Sequence, residues 1–401
     1  MRLKKWIGGF ICLFMFLTSN ILAAPQLSNN AQVSVLTQEK GSEIYALWGH
    51  TAIRIKDDSL GIDHIFNYGI FDFSSPNFAW RFVNGETDYI LGINNLNDVW
   101  MEGVIRNLDL TEQTLNLTAG EKQRLWDSLM ENARPENRTY RYSFAFDNCA
   151  TRPLSMIEKS LDYPLVFSDT TATGGTLRSI VHETTGDYPW LKLGINTVFG
   201  SRFDQPVTFR EQFFHPSYLK KALNEAYVTD SLTGQKRMLV SKSVLLLQHD
   251  DTVENDEASY PAPGWFFYPI GALILLLTLF RGLRKGKLCV GVDVVLYLLF
   301  GIAGCILYFL AFVSTHPGMY PNGLLLVFEP LQLIYALALL VRPWRKKVLL
   351  FNWVNAIMTF AFILSAPFVT QIYPIEILFL GMVSLIRSIM WIKIRRFCCE
   401  K

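Results

Sequence analysis

The composition of this chain changes abruptly near Pro263, and no other feature restricts its fold as strongly. Residues before this point mix polar and apolar side chains. Those after it form five apolar runs of spanning or near-spanning length, at 265–280, 288–313, 324–341, 348–368 and 372–392. A helix of about 20 apolar residues crosses the hydrocarbon core of a bilayer. We therefore expect a soluble domain followed by an all-α transmembrane domain of five helices over residues 264–401.

The connections between the apolar runs predict their orientation. Segments 281–287, 342–347 and 393–396 are rich in lysine and arginine, whereas 314–323 and 370–374 contain neither. Because basic loops stay in the cytoplasm, we expect a cytoplasmic C-terminus and a first helix that enters from outside.

The N-terminus independently predicts export. Its basic first residues precede an apolar stretch and then Ala23 and Ala24, which is the arrangement of a secretory signal peptide. We expect a signal peptide over 1–23, a periplasmic domain over 24–250 and an acidic, proline-containing linker over 251–263. An uncleaved N-terminal anchor is the alternative. The formal charge of +2 gives no indication of a nucleic-acid partner, and none is expected.

Cys149 is the one cysteine of the six that lies in the exported, water-exposed part of the chain. The others lie in the signal peptide, in apolar runs or at the C-terminus: Cys12, Cys289, Cys305, Cys398 and Cys399. A lone thiol outside the cytoplasm has no partner for an intramolecular disulfide. It is therefore either an inert buried residue or a nucleophile.

The surroundings of Cys149 favour a nucleophile. Aromatic residues alternate with polar or small ones over 140–146, which predicts a half-buried strand. Pro153 then opens a helical pattern over 154–161. Cys149 would lie at a helix N-terminus, where unpaired amides and the helix dipole favour the thiolate.

Two further predicted strands bring His50 and Asn67 together. Residues 50–56 and 62–68 alternate as strands joined by a short polar turn. When their apolar sides are matched, Asn67 falls on the same face as His50, opposite or diagonal to it, and His64 points away.

Cys149, His50 and Asn67 are the residue types that a cysteine enzyme needs. An imidazole takes and returns the thiol proton, and an amide oxygen fixes the imidazole tautomer. The spacing alone leaves open whether His50 and Cys149 are structural, and Asp72 and His64 are alternatives for the third role. The histidines and aspartates near His50 lack metal-ligand spacing, so neither a metal nor a cofactor is expected.

Other patterns predict secondary structure only. A capping box at 118–121 precedes a helix that runs to about Ala133. Segments 176–184 and 216–228 have helical patterns, and 243–248 has a strand pattern.

Several motifs in the soluble part resemble a known family. They are Gly49-His50-Thr51-Ala52-Ile53-Arg54-Ile55, Phe66-Asn67-Tyr68-Gly69-Ile70-Phe71-Asp72-Phe73, Asn77-Phe78 and Phe146-Asp147-Asn148-Cys149-Ala150-Thr151-Arg152. They resemble the periplasmic domain of the Lnb-type lipoprotein N-acyltransferases of Bacteroidota. The membrane half is similar too, in Thr315-His316-Pro317, Asn322-Gly323-Leu324-Leu325 and Glu329-Pro330-Leu331.

The order of the candidate residues is also similar to that of circularly permuted papain-like enzymes, which include lecithin:retinol acyltransferase. The resemblance thus implies an α+β, permuted papain-like soluble domain ahead of the five-helix transmembrane domain. It also implies a protein of the bacterial inner membrane whose catalytic domain is periplasmic.

The activity that the resemblance implies is acyl transfer in two steps. Cys149 would take a fatty acyl chain from a membrane phospholipid as a thioester. The N-terminal amine of a diacylated lipoprotein would then receive it, with His50 as general base and Asn67 orienting the imidazole. Backbone amides near Cys149, with Arg152 or Asn148, would stabilise the oxyanion.

His316, Asn322 and Arg152 are the substrate-binding residues expected from this resemblance. For His316 and Asn322 the alternative is a turn that only links two helices. For Arg152 the alternative is a salt bridge to Asp147 or Asp72.

Two other functions remain open from the sequence. A membrane-anchored cysteine lipase or cell-wall peptidase would use the same thiol, with water or a peptide in place of the lipoprotein amine. The aromatic residues near the predicted site suit acyl chains, but they also suit the core of a sheet. A non-enzymatic envelope receptor or assembly protein would use Cys149 only structurally.

Overall fold

The computed structural model describes residues 25–41, 46–71, 76–86, 88–172, 174–250, 261–285, 288–341, 343–344 and 348–399. The predicted signal peptide, Asp72 and residues 251–260 of the predicted linker lie outside this part of the chain. The strands are β1 Gln32–Gln38, β2 His50–Asp57, β3 Ile62–Phe71, β4 Asp88–Asn94, β5 Leu110–Leu115, β6 Thr139–Arg141, β7 Leu165–Phe167, β8 Ala226–Thr229, β9 Lys236–Met238 and β10 Val240–Leu247.

The helices of the N-terminal domain are α1 Phe78–Val83, α2 Leu96–Ile105, α3 Ala119–Asn132, α4 Thr151–Ser160, α5 Leu177–His182, α6 Pro189–Val198 and α7 Pro216–Glu225. Those of the C-terminal region are α8 Gly264–Lys285, α9 Val290–Phe312, α10 Leu331–Leu340, α11 Leu349–Ser365 and α12 Ile375–Cys399. Short 3₁₀ turns cover Ser201–Asp204, Glu211–Phe214 and Gly323–Leu326.

Seven strands form one antiparallel sheet in the order β10-β5-β1-β2-β3-β4-β6, and β7, β8 and β9 form a smaller sheet. The N-terminal domain is thus α+β. Sequence patterns predicted β2, β3 and β10 but not β1, β4 or β5. The strands that carry His50 and Asn67 lie at the centre of the large sheet.

The two faces of the large sheet are covered differently. One face packs against α3 and α4 around Phe66, Trp126 and Leu154. The other carries a smaller cluster that includes Ile65 and Val99. Because β3 is buried on both faces, Ile65 departs from simple alternation without breaking the register.

The pairing of β2 with β3 follows the predicted register. Ala52 is opposite Asn67, and Ile53 is opposite Phe66. His50 is therefore diagonal to Asn67.

The capping box predicted at 118–121 is also confirmed, because Thr118 and Glu121 cap α3 reciprocally.

Two predicted elements are shorter than expected. The strand predicted over 140–146 ends at Arg141, because Ser143 and Asp147 pair with each other through N···O distances of 2.9 and 3.0 Å and close a tight loop. The helix predicted over 216–228 ends at Glu225, because the next residue begins β8.

The C-terminal region contains four described segments that are long and apolar enough to span a membrane, and α11 is a shorter apolar helix. The run predicted as one helix over 324–341 is divided into a 3₁₀ turn and α10. Polar side chains within the region bond between helices. Arg387 Nε donates to Asp293 at 2.6 Å, and Asn355 donates to Ser384 at 3.0 Å. Such pairs satisfy polar groups that lipid cannot.

Backbone hydrogen bonds join the N-terminal domain to the outer loop at 313–323. The Gly200 N–H donates to the Gly318 carbonyl at 3.0 Å, and the Ser201 N–H donates to the Pro321 carbonyl at 2.8 Å. A Cβ on Gly200 would lie 2.5 Å from the Pro321 oxygen, which is closer than real Cβ contacts. The close approach of the two segments therefore needs glycine at this position.

We predict that Gly200→Val loosens this junction. The added side chain must push the outer loop away and break the bonds to the Gly318 and Pro321 carbonyls, so the backbone amides of residues 200 and 201, which donate these bonds, should exchange hydrogen faster than in the wild-type protein. Hydrogen exchange with mass spectrometry measures this. Gly186→Val is the matched control, because a Cβ there meets no atom within 4 Å. Equal exchange in both variants would show that the junction does not depend on Gly200.

Candidate active site

His50 is the first residue of β2, and Asn67 lies inside β3. Their side chains meet, with 3.1 Å between His50 Nε2 and Asn67 Oδ1. Asn67 Nδ2 donates to Asn94 Oδ1 at 2.6 Å, so the Asn67 oxygen is left to accept from the imidazole. This fixes the ring and leaves Nδ1 as the nitrogen that exchanges a proton with the thiol.

Cys149 lies just before Ala150, the N-cap residue of α4, as predicted, and the side chain of Asn148 bonds to the backbone at the start of that helix. Asn148 Oδ1 accepts from the Ala150 and Thr151 amides at 2.9 and 3.0 Å. Its Nδ2 donates to two backbone carbonyls at 2.8 and 2.7 Å. Because these bonds use both ends of the side chain, Asn148 positions the thiol and does not serve the oxyanion.

Cys149 is buried and forms a hydrogen-bonded pair with His50, which is half-buried at the cavity. Burial by itself raises the pKa of Cys149, but the charge of His50 and hydrogen bonds from His50, the Thr51 amide and the Tyr142 hydroxyl bring that pKa below the ordinary thiol value. Burial lowers the pKa of His50, yet the thiolate charge and the bonds to Cys149 and Asn67 raise it overall. Both shifts favour a thiolate–imidazolium pair, which is the nucleophilic form of cysteine.

Tyr142 is a site residue that the sequence patterns missed. Its hydroxyl bonds to the sulfur of Cys149, and its ring stacks on Tyr89 with 4.1 Å between centroids. Burial and the thiolate charge raise the pKa of Tyr142, so the hydroxyl stays protonated and donates. The alternating pattern around Tyr142 predicted an aromatic residue of the core. Only its position in the folded protein, beside the sulfur of Cys149, shows that it belongs to the site.

Gln38 is a second missed residue. It is directly opposite His50 across β1 and β2, and it lines the same cavity. Its side chain is 7% exposed, and Nε2 has no hydrogen-bond partner among the described residues. A buried free donor beside the imidazole is available for a ligand oxygen. No sequence signal indicated it, because β1 was not predicted.

The site opens into a cavity of about 1070 Å³ bordered by both parts of the protein. This is slightly larger than the roughly 300–1,000 Å³ typical of small-molecule pockets. The outer loop of the membrane region closes one side with Thr315, His316, Pro317 and Met319. The N-terminal domain supplies mostly apolar and aromatic walls, including Trp48, Phe71, Tyr89, Phe144, Phe199 and Phe203. The cavity therefore suits a ligand with a long apolar portion.

His316 is the one of the three predicted substrate-binding residues that lines this cavity. Its Nε2 donates to the Phe82 carbonyl at 3.0 Å. Burial lowers the pKa of His316 below the ordinary value, against the opposing effect of bonds to the Phe82 and Val83 carbonyls. The imidazole is therefore neutral near pH 7.

Asn322 is not among the described residues that line the cavity. It is buried at the junction of the two domains, where Nδ2 donates to the Thr197 carbonyl at 3.0 Å. Its Oδ1 accepts from Leu324 N–H at 3.0 Å and from Gln371 Nε2 at 2.9 Å. These bonds use both polar ends of Asn322, so the structure gives it a structural position in place of the expected substrate contact.

Arg152 also lies outside the described cavity lining. It forms a two-pronged salt bridge to Asp147, with N···O distances of 2.8 and 2.7 Å. Its guanidinium carbon lies 3.6 Å from the ring centroid of Tyr140. The salt-bridge alternative for Arg152 is confirmed, because Asp147 binds both Nε and Nη2.

Of the two alternatives to Asn67 for the third catalytic role, the structure describes only His64. His64 is on the opposite face of β3, with its ring 5.9 Å from that of Trp126. Asp72 lies outside the described residues. Within the described ranges, no group of three or more histidine, cysteine, aspartate or glutamate side chains is arranged to hold a metal.

We predict that Cys149 reacts with iodoacetamide at lower pH than a free cysteine. A thiolate forms as pH rises through its pKa, and that of Cys149 is lowered, so the alkylation midpoint should lie below the free-thiol value of about 8.5. His50→Ala should move the midpoint above that value, because the neighbouring charge is lost and burial, the largest influence, is then opposed only by the bonds from the Thr51 amide and the Tyr142 hydroxyl. Peptide mass spectrometry of the Cys149 peptide against pH measures both.

Tyr142→Phe should move the same midpoint upward by less than His50→Ala does, because it removes one neutral donor and keeps the charge. Tyr227→Phe, in the smaller sheet, is the matched control and should leave the midpoint unchanged. A wild-type midpoint at or above that of free cysteine would contradict the assigned pair.

Two family models match the chain. The Lnb N-terminal periplasmic domain matches residues 23–184, and the Lnb transmembrane domain matches residues 256–396. Comparisons with curated proteins and with solved structures gave no match. The two matched domains occur in the order that the composition predicts and together cover most of the chain. The chain therefore belongs to the Lnb family and is a membrane protein with a periplasmic N-terminal domain.

Proposed function

We propose that this protein is a thiol-dependent lipoprotein N-acyltransferase. It moves a fatty acyl chain from a phospholipid, through a thioester on Cys149, to the N-terminal amine of a diacylated lipoprotein. The observation that carries the proposal is the buried thiol–imidazole–amide arrangement at the wall of an apolar cavity bordered by both domains. Membership of the Lnb family supports the same reaction class.

In the first step the Cys149 thiolate attacks the ester carbonyl of the phospholipid and a C–S bond forms. When the tetrahedral intermediate collapses, the C–O bond to the lysophospholipid breaks. The His50 imidazolium gives its proton to the leaving oxygen. This step leaves acyl-Cys149, a free lysophospholipid and a neutral His50.

In the second step the neutral amine of the lipoprotein attacks the thioester carbonyl. His50, now neutral, takes the proton that the nitrogen loses, the C–S bond breaks, and Cys149 returns as a thiolate. Asn67 keeps the imidazole in one orientation through both proton transfers. Formation of an amide from a thioester lowers the free energy, so the second step needs no further energy source.

The tetrahedral intermediates need hydrogen-bond donors for their oxyanion. The amides of Ala150 and Thr151 are occupied by Asn148, whereas that of Cys149 has no partner among the described hydrogen bonds. The unpaired Nε2 of Gln38, the residue opposite His50 on β1, belongs to a side chain that lines the same cavity as Cys149. We assign these two donors to the oxyanion in place of Arg152 and Asn148.

The membrane region has a physical reason to share the site. Both proposed substrates are lipids, and lifting an acyl chain into water costs about 0.8 kcal/mol for each exposed methylene. A cavity walled partly by the outer loop lets the chain leave the bilayer without crossing water.

The permuted papain-like fold belongs to the same proposal. Support comes from His50 and Asn67 on adjacent antiparallel strands, and from Cys149 at the start of a helix that packs on the same sheet.

Five membrane crossings and a cytoplasmic C-terminus are also proposed. Gln371, shortly before α12, bonds to Asn322 and to the Phe199 carbonyl of the periplasmic domain. These bonds support a return of the chain across the membrane between α10 and α12, and we assign that return to α11. The basic loops give the same orientation.

We predict an acyl adduct on Cys149 when the purified protein is incubated with phosphatidylethanolamine vesicles. Intact and peptide mass spectrometry would show one fatty acyl addition, absent in Cys149→Ser. His50→Ala should form the adduct about 100-fold more slowly or worse, the usual loss without a general acid–base. Addition of a diacylated lipopeptide with a free N-terminus should clear the adduct and yield a triacylated peptide.

The outcomes separate the competing functions. Release of free fatty acid with no triacylated peptide would indicate a lipase. Absence of any adduct in the wild-type protein, together with normal lipoprotein acylation in cells that carry Cys149→Ser at normal levels, would leave only a binding role.

A further inference from the structure

We infer that α1 and α2 form a membrane-inserted rim, through which a phospholipid acyl chain passes sideways from the periplasmic leaflet into the cavity. This inference rests on the proposed function and names the route of its donor substrate. The rim is defined as the exposed side chains Trp80, Phe82 and Val83 of α1 and Met101, Val104 and Ile105 of α2.

Helix α1 buries none of its residues within the protein. Trp80 is 61% exposed, and Phe82 and Val83 are also exposed. A contiguous exposed apolar surface marks a site that contacts another apolar phase. Since α1 contains one charged residue, Arg81, among six, it is poorly suited to face water.

The position of Trp80 indicates which phase covers α1. Its ring centroid lies 5.7 Å from that of Phe309. Phe309 is three residues before the end of α9, which places it about 4.5 Å below the helix end at 1.5 Å per residue. Helix α9 is one of the candidate membrane spans. Trp80 is therefore at the depth where tryptophan is enriched, between headgroups and acyl chains.

The outer loop holds α1 at this depth. Thr315 N–H donates to the Asn84 carbonyl at 2.8 Å, and His316 Nε2 donates to the Phe82 carbonyl. A Cβ on Gly85 would lie 2.6 Å from the His316 nitrogen, so the two backbones are in close contact there. Helix α1 is thus fixed beside α9.

Helix α2 has the same apolar exterior. Met101, Val104 and Ile105 are exposed, the last by 77%. Asp98 and Glu102 of the same helix are also exposed and line the cavity, and Ile105 lies two turns after Asp98 on the same face. The apolar side chains therefore adjoin a polar cavity mouth, and we assign the lipid contact to the apolar part of this surface.

The wall between rim and cavity supplies the route. Phe82 and Leu310 both line the cavity, and they are close in sequence to Trp80 and Phe309, which touch each other at the lipid level. An acyl chain that enters over the rim beside this contact therefore stays against mostly apolar side chains as it moves into the cavity that holds Cys149. Continuity with a membrane span argues for lipid as the occupant, over a second copy of the chain.

A photocrosslinking experiment tests the rim without relying on activity. The full-length protein carries p-benzoylphenylalanine in place of Ile105 and is reconstituted in vesicles of phosphatidylethanolamine and phosphatidylglycerol. Irradiation should add the mass of one phospholipid at this position. The same group in place of Leu232, which is 88% exposed in the turn between β8 and β9, should give none. No phospholipid at position 105, or a crosslink to a second copy, would overturn the inference.

A second measurement tests the route. Trp80→Glu and Ile105→Glu should slow acylation of Cys149 by vesicle phospholipid at least 10-fold, while acylation by the water-soluble ester p-nitrophenyl butyrate stays unchanged. Leu232→Glu is the control and should alter neither rate. Equal rates of vesicle acylation in the rim variants and the wild-type protein would overturn the route. If the wild-type protein reacts with neither ester, the proposed function fails, and the crosslinking result still decides whether the rim contacts lipid.

Discussion

The proposed site depends on one pair of opposite charges, a buried thiolate and a half-buried imidazolium. Taking a thiolate and an imidazolium out of water is unfavourable unless each is neutralised by its partner and by hydrogen bonds. Cys149 and His50 satisfy this condition through each other, through the Thr51 amide and the Tyr142 hydroxyl, and through Asn67 on the far side of the ring. Any displacement of these groups leaves a charge uncompensated. The central strands and the capped start of α4 supply the rigidity that this arrangement needs.

The two domains complete each other at the cavity. The outer loop between α9 and α10 contributes part of the cavity wall, and backbone bonds such as that of Gly200 to Gly318 set its position. A soluble domain alone would leave the cavity open on that side. The membrane region is therefore part of the proposed active site as well as its anchor, and the apolar rim beside it continues the same surface toward the lipid.

Local patterns predicted the features that local physics controls. The hairpin that carries His50 and Asn67 was predicted because alternation fixes register between strands joined by a short turn. The helix start after Cys149 followed from Pro153 and the pattern beyond it. Gln38 and Tyr142 were missed for a common reason. Their roles depend on contacts between strands and loops far apart in the chain, and no local pattern separates them from ordinary core residues.

The sequence by itself determined the division into an exported domain and a membrane region, the solitary thiol, and the histidine and asparagine on one face of a hairpin. The charge, the length of apolar segments and the alternation of residue types are local properties of the chain, so they can be recognised in the sequence before the fold is known. Only the tertiary structure decided that Arg152 pairs with Asp147 and Asn322 joins the domains, while His316 reaches the cavity. Polar side chains of this kind take whichever partner the packed chain brings near them, and that choice is made by long-range contacts.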